Sequence, residues 1–352
     1  MHFNRWLVAP LAVACASLLL ACGPSASALE AKPASQPTSQ AGAGLAQLFL
    51  SGAQLSDGSS LQGRLLFVKD GNLWLWEKGS AREIAVGETW HQPRWAPDGT
   101  RFAYVYRAPN FSEIFVADSE GKTQTRLTRS QSAVLGDNDW NLHPTWSPDG
   151  KQIAFVSDAS NSVNVSSNLT LWVMNQDGSG RRPVATPGVP QEAVDGLAWS
   201  PDGSLLAVTV FSGLGPGQLA LLPMAGSTRQ PARVITEYPD GATDPSWSPD
   251  GKWLAYAARD GLSVDLFVMQ ADSAIQADGM ATRRLTNTGM ARSPAWSPDG
   301  RHLAYLSVQG SGFELWVLDL EETPAGGLEA QNARQLTRDL GLDAASGVSW
   351  GR

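Results

Sequence analysis

Trp146-Ser147-Pro148-Asp149-Gly150 decides the reading of this chain, because it returns at nearly even intervals. The other copies are Trp95-Ala96-Pro97-Asp98-Gly99, Trp199-Ser200-Pro201-Asp202-Gly203, Trp247-Ser248-Pro249-Asp250-Gly251 and Trp296-Ser297-Pro298-Asp299-Gly300, with a truncated echo at Trp350-Gly351-Arg352. Successive tryptophans are 51, 53, 48, 49 and 54 residues apart. A repeat of this period is the signature of a propeller or solenoid. Within each copy proline presets φ, aspartate bonds back to the backbone and glycine accepts a positive φ, which together close a tight hairpin. The pentapeptide therefore ends one strand and starts the next, and its tryptophan suits an interface between sheets. Trp95, Asp98, Trp146, Asp149, Trp199, Asp202, Trp247, Asp250, Trp296, Asp299 and Trp350 are read as structural rather than catalytic.

Working outward, each turn is followed by the same apolar runs. The first is Phe102-Ala103-Tyr104-Val105, Ile153-Ala154-Phe155-Val156 or Leu303-Ala304-Tyr305-Leu306. The second is Ile114-Phe115-Val116, Leu171-Trp172-Val173-Met174 or Leu315-Trp316-Val317-Leu318. A third ends in Arg126-Leu127-Thr128, Arg284-Leu285-Thr286 or Gln335-Leu336-Thr337. Continuous apolar runs bounded by Gly, Asp and Pro suit strands covered on both faces. With the strand that ends in tryptophan, each period supplies four strands, one propeller blade. The body opens with three strands, beginning Arg64-Leu65-Leu66-Phe67-Val68, that lack a tryptophan strand. It closes on Gly347-Val348-Ser349-Trp350, a tryptophan strand with nothing after it. Pairing the two ends completes a sixth blade and removes the open sheet edges. The fold class is all-β, a six-bladed propeller of four-stranded blades over residues 61–352.

These residues resemble the TolB-type WD40-like repeat: Trp-Ser-Pro-Asp-Gly, a Leu-Ala-Tyr-like strand, Leu-Trp-Val-Met, then Arg-x-Leu-Thr. The resemblance covers roughly residues 60–352. It implies a propeller of the kind that serves as a binding scaffold, as an envelope adaptor or as an appendage of peptidases. The stretch ahead of residue 60 is too short for the α/β domain that precedes the propeller in TolB. TolB's own partners, Pal and the TolA system, are therefore not carried over. In prolyl-oligopeptidase-type relatives a hydrolase domain follows the propeller, and here the sequence ends at Arg352.

Residues 1–21 have a basic start, His2 and Arg5, and an apolar run from Trp6 to Ala21, as a secretory signal has. Leu19-Leu20-Ala21-Cys22 resembles a lipobox, so cleavage before Cys22 and lipidation of that cysteine are expected, with acyl chains giving a stable membrane anchor. The alternative is an ordinary signal peptide with an incidental cysteine. Residues 22–60 then form a lipidated cysteine and a flexible tether rich in Ala, Ser, Pro and Gln. Cys15 and Cys22 are the two cysteines, so the body uses neither disulfides nor thiolate-bound zinc.

A net charge of −8 argues against nucleic acid as a partner, since phosphate binding needs a basic face. Phosphate-cradling loops and His-Glu-x-x-His motifs are absent from the sequence. Chemistry is therefore sought where each tryptophan strand begins, at one mouth of the ring. Counting back four and three residues from each tryptophan gives His91 and Gln92, Leu142 and His143, Asp195 and Gly196, Thr243 and Asp244, Arg292 and Ser293, and Ser346 and Gly347. His91, His143, Asp195 and Asp244 either converge on a metal or polar ligand or cap strands locally. His302, at a strand start, reads as solvated. The loop 130–141 carries Asp137, Asp139 and an exposed Trp140, read as a recognition loop, a weak Ca²⁺ site or an Asx-rich turn. Segments 157–168, 270–281 and 321–333 read as plain connections. No cofactor is expected. The predicted function is a lipid-anchored, non-enzymatic envelope scaffold for a protein, peptide or glycan, or a propeller subunit of a larger complex; the competing reading is a carbohydrate lyase or hydrolase acting at the mouth.

Overall fold

The computed structural model describes residues 61–352 except 88, 131–137, 160–168, 185–192, 213–214, 225–230, 273–281 and 311. Cys22, the signal segment, the tether, Asp137 and most of the segments 157–168 and 270–281 lie outside the described residues. The strands form six four-stranded antiparallel sheets, and the chain is a six-bladed β-propeller. Blade 1 is the closing blade. Its inner strand, Ser349–Gly351, pairs with Arg64–Lys69, which continues into Asn72–Glu77 and Ser80–Ala85. Leu65 stands opposite Trp350, so the two ends of the body meet in one sheet. The inner strands of blades 2 to 6 are Trp90–Trp95, Asn141–Trp146, Ala193–Trp199, Ala242–Trp247 and Ala291–Trp296. Each inner strand touches the next, and the ring closes.

There is no single core. Six apolar clusters each fill one seam between neighbouring sheets. Leu66, Val68, Leu73 and Leu75 of blade 1, for example, pack on Trp90, Trp95, Phe102 and Tyr104 of blade 2. The unbroken apolar runs follow from this arrangement, because the central strands of every blade are covered on both faces. Full burial of each large side chain contributes roughly 1.5–3 kcal/mol.

The repeated tryptophans add polar bolts to these seams. Trp146 Nε1 donates to Arg94 O at 3.2 Å, Trp247 to Ala198 O at 3.1 Å and Trp296 to Ser246 O at 3.0 Å. In each case the acceptor is the residue preceding the tryptophan of the previous blade. At the closure the pattern changes: Trp350 donates to Gln62 O and Trp95 to Arg64 O. Trp199 Nε1 is buried without a partner among the described residues.

The turns stack as well. In the second copy Asp149 accepts from the Ser147 hydroxyl and the Lys151 amide, while Gly150 has a φ of 68°. A methyl group on Gly150 would lie 3.9 Å from Pro97 of the previous turn, and Gly203 sits likewise on Pro148. Blade 1 has no such turn. Arg352 takes its place, its carbonyl 3.2 Å from where a side chain on Gly99 would begin.

Two readings need correction. Residues 321–333 are not a plain connection: Gly312–Glu322 and Leu328–Gln335 extend the outer sheet, with Glu322 opposite Leu328. Strand pairing satisfies the backbone there despite the polar composition. His302 is not solvated. Its Nδ1 lies 2.9 Å from Asp319 Oδ1 and its ring stacks on Trp350.

Candidate functional site

The residue three before each tryptophan has a left-handed backbone in all six blades. The φ values are 50° at Gln92, 51° at His143, 47° at Gly196, 55° at Asp244, 55° at Ser293 and 66° at Gly347. In blades 2 to 6 the inner ladder shifts register around this position, the mark of a β-bulge. The four non-glycine positions are followed by Pro93, Pro144, Pro245 and Pro294. Proline has no amide to give the ladder and is accepted at bulges. A left-handed conformation costs a residue with a Cβ about 1–2 kcal/mol. Four polar side chains are thus held at the mouth in a conformation that glycine would take more cheaply, and strain of that kind marks functional positions.

These side chains join across blades. Gln92 Oε1 accepts from the His143 amide at 2.8 Å, and Gln92 Nε2 lies 3.0 Å from His143 Nε2. His143 Nε2 is 2.7 Å from Asp195 Oδ1, which also accepts from the Gly196 amide. One Nε2 atom cannot both donate to Asp195 and accept from the Gln92 amide nitrogen, and the shorter contact, to a carboxylate, favours donation to Asp195. Burial pushes the Asp195 carboxyl up, but His143, the Gly196 amide and the charge of Arg292 outweigh it and leave it below 3.8. On the other side of blade 2, His91 Nδ1 faces Ser346 Oγ at 3.3 Å and Asp343 Oδ2 at 3.4 Å. Asp343 also accepts from the Ser346 hydroxyl and the Ala345 amide. Burial raises the Asp343 carboxyl, yet these partners bring it below its ordinary value. Asp244 accepts from Ser293 N at 3.1 Å and Ser293 Oγ at 3.3 Å, tying blade 5 to blade 6.

The two histidines and two aspartates therefore do not meet at one point. His143 goes to Asp195 and His91 to Asp343. Among the described residues no group of three or more His, Cys, Asp or Glu side chains is placed to hold a metal ion.

Two residues at the mouth escaped the sequence reading. Asp343 lies on the connection into the closing strand, seven residues before Trp350 and outside the four-and-three count. Arg94 immediately precedes Trp95, and its guanidinium lies over Gly347, where a methyl group would be 3.2 Å from Nη2 and 3.6 Å from Ser293 Oγ. The closing blade leaves its own mouth position empty, and Arg94 of the next blade fills it. Arg94 Nη1 donates to Pro93 O at 2.8 Å. Burial lowers the Arg94 pKa, and the charge of Asp244 opposes that shift. The glycine at 347 was the available signal for Arg94.

The loop residues are committed elsewhere. Asp139 lies 3.6 Å from Arg181, and burial, reinforced by Glu113, raises its carboxyl in spite of that cation. Trp140 is half-buried rather than exposed, with Arg107 over its ring at 5.7 Å. At the other end of the inner strands a hollow of about 520 Å³ opens beside the missing sixth turn, lined by Asp98, Arg101, Asp149, Lys151 and Arg352. Its aspartates are occupied within their own turns, Asp98 by Thr100 and Asp149 by Ser147.

A family model described as the TolB beta propeller domain matches residues 159–344. An uncharacterized peptidase, YuxL, of Bacillus subtilis (strain 168) is 32% identical over 123 residues, 35% of this chain and 17% of that protein. The Tol-Pal system protein TolB of Bordetella avium (strain 197N) is 40% identical over 58 residues, 16% of this chain and 12% of that protein. The aligned part spans less than a fifth of either relative. Among solved structures, TolB from Acinetobacter baumannii superposes with a TM-score of 0.62 at 18% identity, covering 83% of this chain and 67% of that one. A putative TolB from Agrobacterium tumefaciens gives 0.58 at 14% identity, covering 84% of this chain and 100% of that one. At these identities the likeness is one of fold.

Proposed function

This chain belongs to the TolB β-propeller family, and we propose that it is a binding scaffold of the bacterial cell envelope whose contact surface is the mouth built by Gln92, His143, Asp195, Asp244, Arg292 and Ser293. The observation that carries the reading is the strained ring itself. Six blades present the same backbone position to one mouth, and four of them fill it with a polar side chain at a cost in backbone energy. The side chains are pre-positioned by bonds between blades, so a partner meets a surface that needs little ordering. Envelope placement is supported by relatives named as Tol-Pal system proteins and by the N-terminal signal pattern with its lipobox-like Cys22. Export and anchorage through Cys22 are part of the same proposal.

The test is site-specific photo-crosslinking in intact cells. A photoreactive residue at Ser293 is expected to capture a protein partner, and one at Asp149 on the turn face is not. Capture from Asp149 alone, or from neither site, would sink the proposal. The enzymatic alternative rests on the His143–Asp195 pair, since a carboxylate-oriented imidazole is half of an acid–base device. Hydrolase or lyase turnover by purified protein, abolished in His143→Gln, would establish it instead.

A further inference from the structure

Three exposed apolar side chains stand on the mouth side of blades 5 and 6, and the register of the strands brings their backbone positions near one another. Leu262 at the tip of the central hairpin of blade 5 is 96% exposed, Met290 43% and Val308 37%. Met290 is bridged to Val264, two residues along from Leu262. Ala291 pairs with Ser307, so the same antiparallel register sets Met290 opposite Val308. Two residues further along the inner strand is Arg292, at the mouth. The other charges of the hairpin tip are balanced or occupied: Arg259 adjoins Asp260, and Asp240 accepts from the Gly261 amide.

The mouth is asymmetric in what it leaves unsatisfied. Among the described residues its carboxylates are engaged: Asp195 with His143, Asp343 with His91 and Ser346, and Asp244 with Ser293. Its guanidiniums act on these carboxylates through charge, Arg292 on Asp195 and Arg94 on Asp244, but keep spare N–H donors. Among the described residues Arg292 makes no hydrogen bond and no ion pair, and Arg94 gives one hydrogen bond, to Pro93 O. A guanidinium carries five N–H donors arranged to grip a carboxylate. The spare bonding capacity at the mouth is therefore cationic donors, and the spare surface next to it is aliphatic.

We infer that the mouth takes a peptide segment of a protein partner which sets a carboxylate against Arg292 and Arg94 and an adjacent apolar side chain on Leu262, Met290 and Val308. The inference rests on the reading of the mouth as a contact surface and specifies the chemistry of the partner. The unfilled N–H donors of Arg292 and Arg94 select a carboxylate. The aliphatic patch selects a peptide over an acidic glycan, which has no aliphatic side chain to bury there. Anchors of this kind, rimmed by polar contacts, carry most of the energy of an interface.

The experiment selects a random short-peptide display library on the full chain and repeats the binding with Arg292→Gln, Arg94→Gln and the pair Leu262→Ser with Met290→Ser. Enriched peptides are expected to carry Asp or Glu next to Leu, Ile or Phe. Each variant is expected to weaken them at least about tenfold, the scale of one good contact. The exposed Leu262 and Met290 pair should melt with wild type, which separates loss of contact from loss of fold. Enriched peptides without a carboxylate, or insensitive to these variants, would overturn the inference and leave the scaffold reading standing. Binding of polygalacturonate that depends on Arg292 but not on Leu262 and Met290 would replace the peptide by a glycan. No enrichment of any peptide would count against both.

Discussion

His143 Nε2 stands 2.7 Å from Asp195 Oδ1, and this contact ties the inner wall of blade 3 to that of blade 4. It acts where Trp199, the bolt of blade 4, has no hydrogen-bond partner among the described residues. The mouth pair is therefore a side-chain link across this seam, beside the backbone bond from Val194 N to Leu169 O, and its loss is expected to be felt in acid. The Asp195 carboxyl is held below its ordinary value near 3.8. A depressed folded pKa adds stability that is present above the unfolded value and lost as pH falls through the folded one. Asp195→Asn should melt below wild type at neutral pH and converge with it as the pH falls through the lowered folded value of Asp195. The side chain is 42% exposed, so the neutral-pH gap should be no more than about 1 kcal/mol. Parallel melting curves across that range would show that the pair contributes nothing.

The tryptophan bolts separate by their hydrogen bonds. Trp→Phe at 146, 247 or 296 removes similar volume and one indole bond to the preceding blade. Trp199→Phe removes similar volume with no such bond. Chemical denaturation should show the first three losing about 0.5–1.5 kcal/mol more than Trp199→Phe. Equal losses at all four would mean that these indoles act by packing alone.

Buried acids on the outer strands give a third expectation. Glu113 binds Arg126 and the Thr128 hydroxyl, and Asp265 binds Arg284 and the Thr286 hydroxyl. Glu314 is equally buried and accepts from Thr337, Leu340 and Gly341, but the position that holds arginine in the other two blades is Gln335, whose Nε2 has no partner among the described residues. Gln335 lies opposite Trp316 as Arg126 lies opposite Phe115. Gln335→Arg should raise stability by about 0.5–2 kcal/mol. The gain should vanish when combined with Glu314→Gln, and a gain that survives would assign it to another cause.

Gly347→Ala tests the hollow that Arg94 fills. The new methyl group meets both a φ of 66° and a guanidinium nitrogen at 3.2 Å. A destabilisation of about 1–2 kcal/mol is expected from the backbone alone. The displaced Arg94 should in addition weaken any acidic peptide held at the mouth. A fully stable variant with unchanged peptide binding would place Arg94 elsewhere.

The repeat was legible at once because its chemistry is local. Pro148, Asp149 and Gly150 dictate a turn whatever surrounds them, and the runs around Phe155 and Trp172 dictate strands covered on both faces. The positions that face the mouth were legible by counting back from tryptophan, since every blade carries the same bulge at the same offset. The engagements of His302 and Trp140 were not legible. Their partners, Asp319 with Trp350 and Arg107, are set by strand register and by the meeting of the chain ends.

The sequence by itself determined the number of blades, the closure of the first by the last strand, and the turn chemistry at one end of the ring, because each follows from bonds within a few residues or from the period of the repeat. Tertiary structure alone decided that His143 pairs with Asp195, that His91 turns the other way to Asp343, and that Arg94 occupies the space above Gly347. The physical reason is that the bulge interrupts the alternation of side chains along each inner strand. Which neighbour a mouth residue reaches then depends on how two rigid blades are rotated against one another, and that rotation is set by the packing of whole sheets across the seam.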